Sequence, residues 1–189
     1  LASQARQAIA NLLAEVRAGG GDADRLAQVD VFLTDINAFA SIEDVVGSSV
    51  LDTIRGPDAI NVWAIDMNNG GSVAGVAFEG FENLIGGTLA DTFTIDDGVL
   101  LAGAIDGGGG TDELDLGGWT SPVTIDLGLA AATPAASISS IESFTGGAAF
   151  DTFIGPGGPN TWTIGASNAG DVNGVDFTSF ESLHGGTDA

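Results

Sequence analysis

The stretch SIESFTGGAAFDTFIGP, Ser140 to Pro156, restates SIEDVVGSSVLDTIRGP, Ser41 to Pro57, 99 positions earlier and without a gap. The same shift pairs residues 40–90 with 139–189, and nearly half of the paired positions are identical. Asn61/Asn160, Trp63/Trp162, Ile65/Ile164, Gly75/Gly174, Phe78/Phe177, Phe81/Phe180 and Glu82/Glu181 are among them. Repetition at so fixed a spacing is the signature of a tandem array, whose units bury their apolar faces against one another. The chain holds just under two units, a full one over 40–138 and a partial one over 139–189. It starts at Leu1 and ends within the repeated phrase, so it reads as a piece of a longer protein.

Inside the unit a shorter phrase recurs, of the form apolar-Glu-x-apolar-x-Gly-Gly-x-x-x-Asp-Thr-apolar. It stands as IEDVVGSSVLDTI from Ile42, FENLIGGTLADTF from Phe81 and IESFTGGAAFDTF from Ile141, with a shorter relative, DGGGGTDELDL, from Asp106. Its Asp falls at Asp52, Asp91, Asp112 and Asp151, at intervals of 39, 21 and 39 residues. These intervals fit two coils, one coil and two coils of about 20 residues, the size of a coil in a parallel β-solenoid. Runs such as TFTI, ELDL, PVTIDL and TWTI are rich in β-branched and aromatic residues and are separated by Gly, Asn and Asp, as short strands and turns require. The expected fold is therefore all-β: a parallel β-solenoid, β-roll or β-helix, spanning 40–189. Five coils at a strand spacing of about 4.8 Å give a unit roughly 24 Å long. The bias of parallel β connections favours a right-handed coil.

The first residues differ. Ile9, Leu12, Leu13 and Val16 share one helical face before a Gly run, and Leu26, Val29, Phe32, Ile36 and Phe39 follow near the same spacing. An amphipathic helix ahead of a solenoid most simply covers the end of its core. Residues 1–39 are thus expected to form a helical N-terminal cap.

Charge narrows the partners. The chain carries 26 Asp and Glu against 4 basic residues, all Arg, for a net charge of -22. Nucleic-acid binding needs a basic surface and is excluded on this count. No apolar run approaches the ~20 residues of a membrane span, so membrane insertion is not expected. With no Cys, disulfides and thiolate metal sites are excluded. Two readings of the acidity stay open, a cation partner and a solvated face that keeps an extended protein soluble.

The run Gly107-Gly108-Gly109-Gly110-Thr111-Asp112-Glu113-Leu114-Asp115 fits Gly-Gly-x-Gly-x-Asp-x-apolar-x throughout. It resembles the calcium-binding nonapeptide of RTX (repeats-in-toxin) proteins, in which a tight Gly-rich turn presents carbonyls and the Asp a carboxylate. The resemblance implies a Ca2+ site built from Asp112, Gly107, Gly108 and Gly110, together with Asp91 on the adjacent coil. Leu89 and Ala149 replace the third Gly in the turns before Asp91 and Asp151, and the turn before Asp52 keeps only Gly47. Asp and Gly acting as turn formers alone is the competing reading. The remainder, NTWTIGASNAGDVNGVDFTSFESLHGG, resembles repeats of very large bacterial surface or adhesin-like proteins.

The implied function is a structural or adhesive spacer of a large, secreted bacterial cell-surface protein, stiffened by calcium. Its partners are the neighbouring repeats of the same chain and a cell-surface or glycan ligand. One alternative is a glycan- or surface-binding repeat module; another is a calcium-folded RTX secretion module of a toxin or enzyme. Trp63 and Trp162, with Phe78/Phe81 and Phe177/Phe180, are expected to stack in the core rather than to form a sugar platform, while Trp119 has no repeat partner and fits either. Glu43, Glu82, Glu142 and Glu181 suit backbone hydrogen bonds or a cation site, and Asn61 and Asn160 suit turns. No enzyme is expected: the acids are mostly repeated, the repeat region has only Arg55 as a cationic base, and the single His184 faces Ile85 in the other unit.

Overall fold

The structure is a computed structural model and describes residues 44–186. The expected helical cap and Glu43 lie outside the described residues. What is described is all-β, a parallel β-solenoid of two facing sheets with ten and eight strands.

Alternation along each strand explains why the sheets face one another. In NVWAIDM, Asn61, Trp63 and Ile65 are buried while Val62, Ala64 and Asp66 point out. DTFTI repeats the pattern, with Asp91, Phe93 and Ile95 inward. Period-two burial of this kind puts one side of each sheet into a shared core. Register then lines the inward residues into ladders. One sheet carries Trp63, Phe93, Leu114, Phe144 and Phe177 in successive parallel pairings. The other carries Ile54, Leu84, Ile105 and Ile138.

The chain does not wind as plain coils. β1 (Asp44–Val46) lies in the first sheet and β2 (Thr53–Arg55) in the second. Next comes a three-stranded antiparallel meander in the first sheet: β3 (Asn61–Met67), β4 (Gly70–Val73) and β5 (Val76–Glu79). The chain then alternates between sheets through β6 (Asn83–Ile85), β7 (Asp91–Ile95), β8 (Leu101–Asp106) and β9 (Glu113–Asp115). A second meander follows, now in the second sheet: β10 (Thr124–Asp126), β11 (Ala131–Ala132) and β12 (Ala135–Ser139). The second unit starts over with β13 (Ser143–Thr145), β14 (Thr152–Ile154), a third meander of β15 (Trp162–Ala166), β16 (Ala169–Val172) and β17 (Val175–Thr178), and β18 (Ser182–His184).

This corrects the expectation of five equal coils. Each 39-residue interval holds one antiparallel meander, which adds three strands to a single sheet before the chain crosses over. The physical reason is a pair of tight hairpins. Ala74 and Gly75 both have positive φ (51° and 80°), as do Asn173 and Gly174 (52° and 86°), the backbone of a two-residue turn between antiparallel strands. The first meander sets the first sheet two strands ahead of its partner, and the second meander restores the balance. One unit thus gives six strands to each sheet, β1, β3, β4, β5, β7 and β9 to one and β2, β6, β8, β10, β11 and β12 to the other. Six strand spacings make about 29 Å rather than the expected 24 Å.

Candidate functional site

The sequence phrase marks the turns at the two edges, where the chain passes between sheets. Six of them share one spacing, a Gly five residues before an Asp or Asn: Gly47–Asp52, Gly56–Asn61, Gly86–Asp91, Gly107–Asp112, Gly146–Asp151 and Gly155–Asn160. Close approach demands the Gly. A Cβ at Gly86 would run into the carbonyl of Gly107 and the carboxylate of Asp91, and one at Gly107 into the carbonyl of Ser140 and the carboxylate of Asp112. Side chains at these two positions would push the coils apart.

The Asp or Asn at the end of each turn points inward; Asp52, Asn61, Asp91, Asp112 and Asp151 are buried, at 5 % exposure or less, and Asn160 is partly buried. A buried carboxylate must be hydrogen-bonded. One oxygen closes the turn. Asp52 Oδ2 accepts the Ser48 N–H, Asp91 Oδ2 that of Gly87, and Asp151 Oδ2 that of Gly147 at 2.6 Å. At Asn61 and Asn160 the polarity is reversed. The residue four before them is Pro57 or Pro156, which has no N–H to give. There the side-chain amide donates instead, to Pro57 O at 3.0 Å and to Pro156 O at 2.7 Å.

The other oxygen ties coil to coil, except in Asp52, whose Oδ1 is buried without a partner. Asp91 Oδ1 accepts from the Asn61 backbone N–H (3.1 Å) and Nδ2 (2.6 Å), and Asp112 Oδ1 accepts the Asp91 N–H at 2.7 Å. Glu142 Oε2 continues the stair by accepting the Asp112 N–H at 2.8 Å. On the opposite edge Glu82 Oε2 takes the Asp52 N–H (2.9 Å), Asp151 Oδ1 that of Val123 (2.8 Å) and Glu181 Oε2 that of Asp151 (2.8 Å). Glu82 and Glu181 also accept from equivalent Asn side chains, Asn69 at 3.0 Å and Asn168 at 2.7 Å. Of the two roles left open for the recurring Glu, these three fill the hydrogen-bonding one. Hydrogen bonds to charged groups contribute about 1.5–3 kcal/mol each, so the two stairs add to the apolar core in holding successive coils together. Much of the chain's buried acidity is thereby matched by backbone donors rather than by basic side chains. Among the described residues the one ion pair is Arg55 with Asp58 on the surface, at 2.5 Å.

The full nonapeptide turn breaks the rule. The residue four before Asp112 is Gly108, with φ of 90°, and its N–H donates to Asp106 Oδ1 at 3.2 Å. Asp112 Oδ2 is consequently buried with no hydrogen-bond partner. Burial, followed by the nearby charges of Asp91, Glu142 and Asp106, raises the Asp112 pKa above the usual 3.8 against the lowering effect of the Asp91 N–H. A different carboxylate shows the opposite effect: Asp97, on the surface, is lowered by the Thr120 hydroxyl and N–H that bond to it.

The predicted metal residues therefore come together as a stack. Asp91 and Asp112 are joined through a backbone N–H, and the Gly107–Gly110 turn sits against Gly86, Gly87 and Leu89 of the turn before it. Asp91 has both oxygens engaged by N–H donors, and Gly110 (φ 127°) stacks on Leu89 and Ala90. Among the described residues no three Asp, Glu or His side chains gather as a metal-holding group. Sequence reasoning placed Asn61 and Asn160 in turns without giving them a partner, and the Pro four residues earlier was the available signal. Trp63 is fully buried and stacks on Phe93 at 5.4 Å, Trp119 is buried and donates Nε1–H to Ile95 O at 2.8 Å, and Trp162 is partly buried. No protein-family model, curated protein or solved structure matches the chain.

Proposed function

We propose that the protein is a structural spacer, a stiff acidic rod segment of a large bacterial protein that is secreted or displayed at the cell surface. The observation that supports this most is the balance of the meanders. Because each unit gives six strands to either sheet, a unit ends as it began and the next stacks without a step. Reach then grows with the number of units while each contacts only its neighbours. Among the described residues the repeated carboxylates act as staples, which fits a mechanical role better than a catalytic one. Chains of two, three and four units test it by small-angle X-ray scattering. The maximum dimension should rise by about 29 Å per added unit; a compact or concentration-dependent rise would overturn the rod.

Calcium enters this reading at one atom. In the RTX-like turn the turn-facing oxygen of the Asp, Asp112 Oδ2, is buried without a partner, as Asp52 Oδ1 is on the other edge, and an all-oxygen Gly-rich turn with a free carboxylate oxygen suits a hard cation. Asp112 and the carbonyls of Gly107, Gly108 and Gly110 would hold it, and the ion would supply charge neutralisation at that turn. Thermal melts in EDTA and in millimolar calcium decide: a rise abolished by Asp112→Asn supports the ion, and superimposable melts remove it while leaving the spacer intact. A glycan-binding module is less well supported. Trp63 and Trp119 are in the core, and the exposed aromatic ring among the edge turns is Phe150, 67 % exposed.

A further inference from the structure

The two units match in sequence and in fold but not in what covers them. Ile65 is 1 % exposed and Leu84 fully buried, whereas their equivalents Ile164 and Leu183 are 58 % and 38 % exposed. The difference traces to a single coil. In the first unit β7 pairs with β3, setting Phe93 beside Trp63 and Ile95 beside Ile65, and β8 sets Ile105 beside Leu84. Phe93 lies nearly flat on Trp63, with ring planes 18° apart, and Asp91 accepts both N–H groups of Asn61. Trp162 keeps the contact made within its own meander, edge-on to Phe177 at 5.7 Å as Trp63 is to Phe78 at 5.8 Å. Among the described residues it has no counterpart of the Phe93 stack.

We propose that the face formed by β15 and β18 is a docking surface for one further coil with the chemistry of Asp91–Asp106. This rests on the spacer reading and adds the rule by which an array extends. The surface specifies its occupant in detail. It calls for a leading Asp to accept from Asn160, an aromatic ring two residues on to stack on Trp162, a branched apolar residue two further on to cover Ile164, and an Ile in the following strand to cover Leu183. The starting end of a second copy does not meet these demands. β1 and β2 correspond to β13 and β14, which pair with strands of the β9 and β10 type. Two copies placed end to end would set the wrong rung against β15.

The test is a chain in which residues 91–138 of the first unit follow Ala189 directly. Register is preserved, because Ala189 corresponds to Ala90 in the repeat. Trp162, labelled as fluorotryptophan and assigned with a Trp162→Phe variant, reports its exposure by NMR and by acrylamide quenching. Extension should make it several-fold less quenchable, while an extension carrying Asp at the positions copied from Phe93 and Ile95 should not. A second readout does not depend on the label. Ile164→Asp should shift the melt by less than ~1 °C in the 189-residue chain and by more than ~5 °C in the extended chain, as Ile65→Asp does in both. Unchanged quenching on extension, or a silent Ile164→Asp in both chains, overturns the proposal. So does greater exposure of Trp162 when residues 1–43 are removed, since that segment would then be the occupant. Scattering on the same chains keeps the spacer reading separate: a rod that lengthens without burying Trp162 retains the spacer and discards this docking rule.

Discussion

The turns Gly56–Asn61 and Gly86–Asp91 lie on neighbouring rungs of one edge, close enough that a Cβ on Gly87 would strike Pro57 O. They have the same length and the same buried polar residue at the end, yet opposite polarity. Gly87 offers an N–H, so an acceptor, Asp91, closes its turn. Pro57 offers none, so a donor is needed, and Asn61 gives its amide to Pro57 O and to Ala59 O at 2.8 Å. The presence or absence of one backbone hydrogen thus decides between Asp and Asn at an otherwise equivalent place. The same pairing recurs 99 residues later in Pro156 and Asn160.

The sharpest way to break this comparison is Asn61→Asp. The new carboxylate would face Pro57 O, Ala59 O and the Asp91 carboxylate, which now receives the Asn61 amide at 2.6 Å. A buried charge without a partner costs about 3–5 kcal/mol, read as a fall in the denaturation midpoint at unchanged slope. Asn160→Asp should cost about 1–2 kcal/mol, because Asn160 is only partly buried and its Oδ1 already accepts from Asn173 at 2.9 Å.

Pro57→Gly then tests the cause. It restores an N–H four residues before position 61, so the double variant Pro57→Gly with Asn61→Asp should recover about a third to a half of the loss. The remainder is repulsion from Asp91. A strictly additive double-mutant cycle would sink the polarity argument. Smaller again is Glu142→Ala, which deprives the Asp112 N–H of its acceptor and should cost about 2 kcal/mol. Glu142→Gln, which keeps an acceptor oxygen, should cost less than half of that.

The solenoid was legible because repetition and strand alternation are written in consecutive residues. Trp63, Phe78 and Phe81 could be placed in a core because the same positions recur 99 residues later, and all three are buried. The meanders escaped because interval arithmetic counts residues and not directions: 39 residues make two plain coils as readily as one coil with a threefold switchback. The missed signal was VNGV at 172–175, an Asn-Gly pair flanked by β-branched residues. Its first-unit counterpart, VAGV at 73–76, conceals the same hairpin behind an Ala at φ 51°. The site was half legible for a related reason. The phrase announces an Asp and a Gly, but one carboxylate oxygen answers to the N–H four residues earlier in its own turn and the other to a coil 20 to 30 residues away. The RTX resemblance groups Asp91 and Asp112 as ligands of one ion; in the structure they are neighbours joined by the Asp91 N–H.

The gentlest test returns to the one turn that follows neither polarity. Asp112 Oδ2 has neither the N–H that closes the other Asp turns nor the amide of the Asn turns. Asp112→Asn should convert it to the second kind: Oδ1 still accepts the Asp91 N–H, and the new amide reaches for the Gly108 carbonyl as Asn61 does for Pro57. In EDTA near neutral pH the variant should gain about 1 kcal/mol. The sign follows from the raised Asp112 pKa. The folded state holds that proton more tightly than the unfolded state, so the contribution to stability is full below the ordinary value of 3.8 and is lost as pH climbs through the raised folded value. The difference between variant and parent should therefore vanish in acid and open with rising pH, seen as diverging melting temperatures. A variant less stable than its parent at neutral pH in EDTA would mean that Oδ2 has a partner of its own, and the 107–112 turn would join the others.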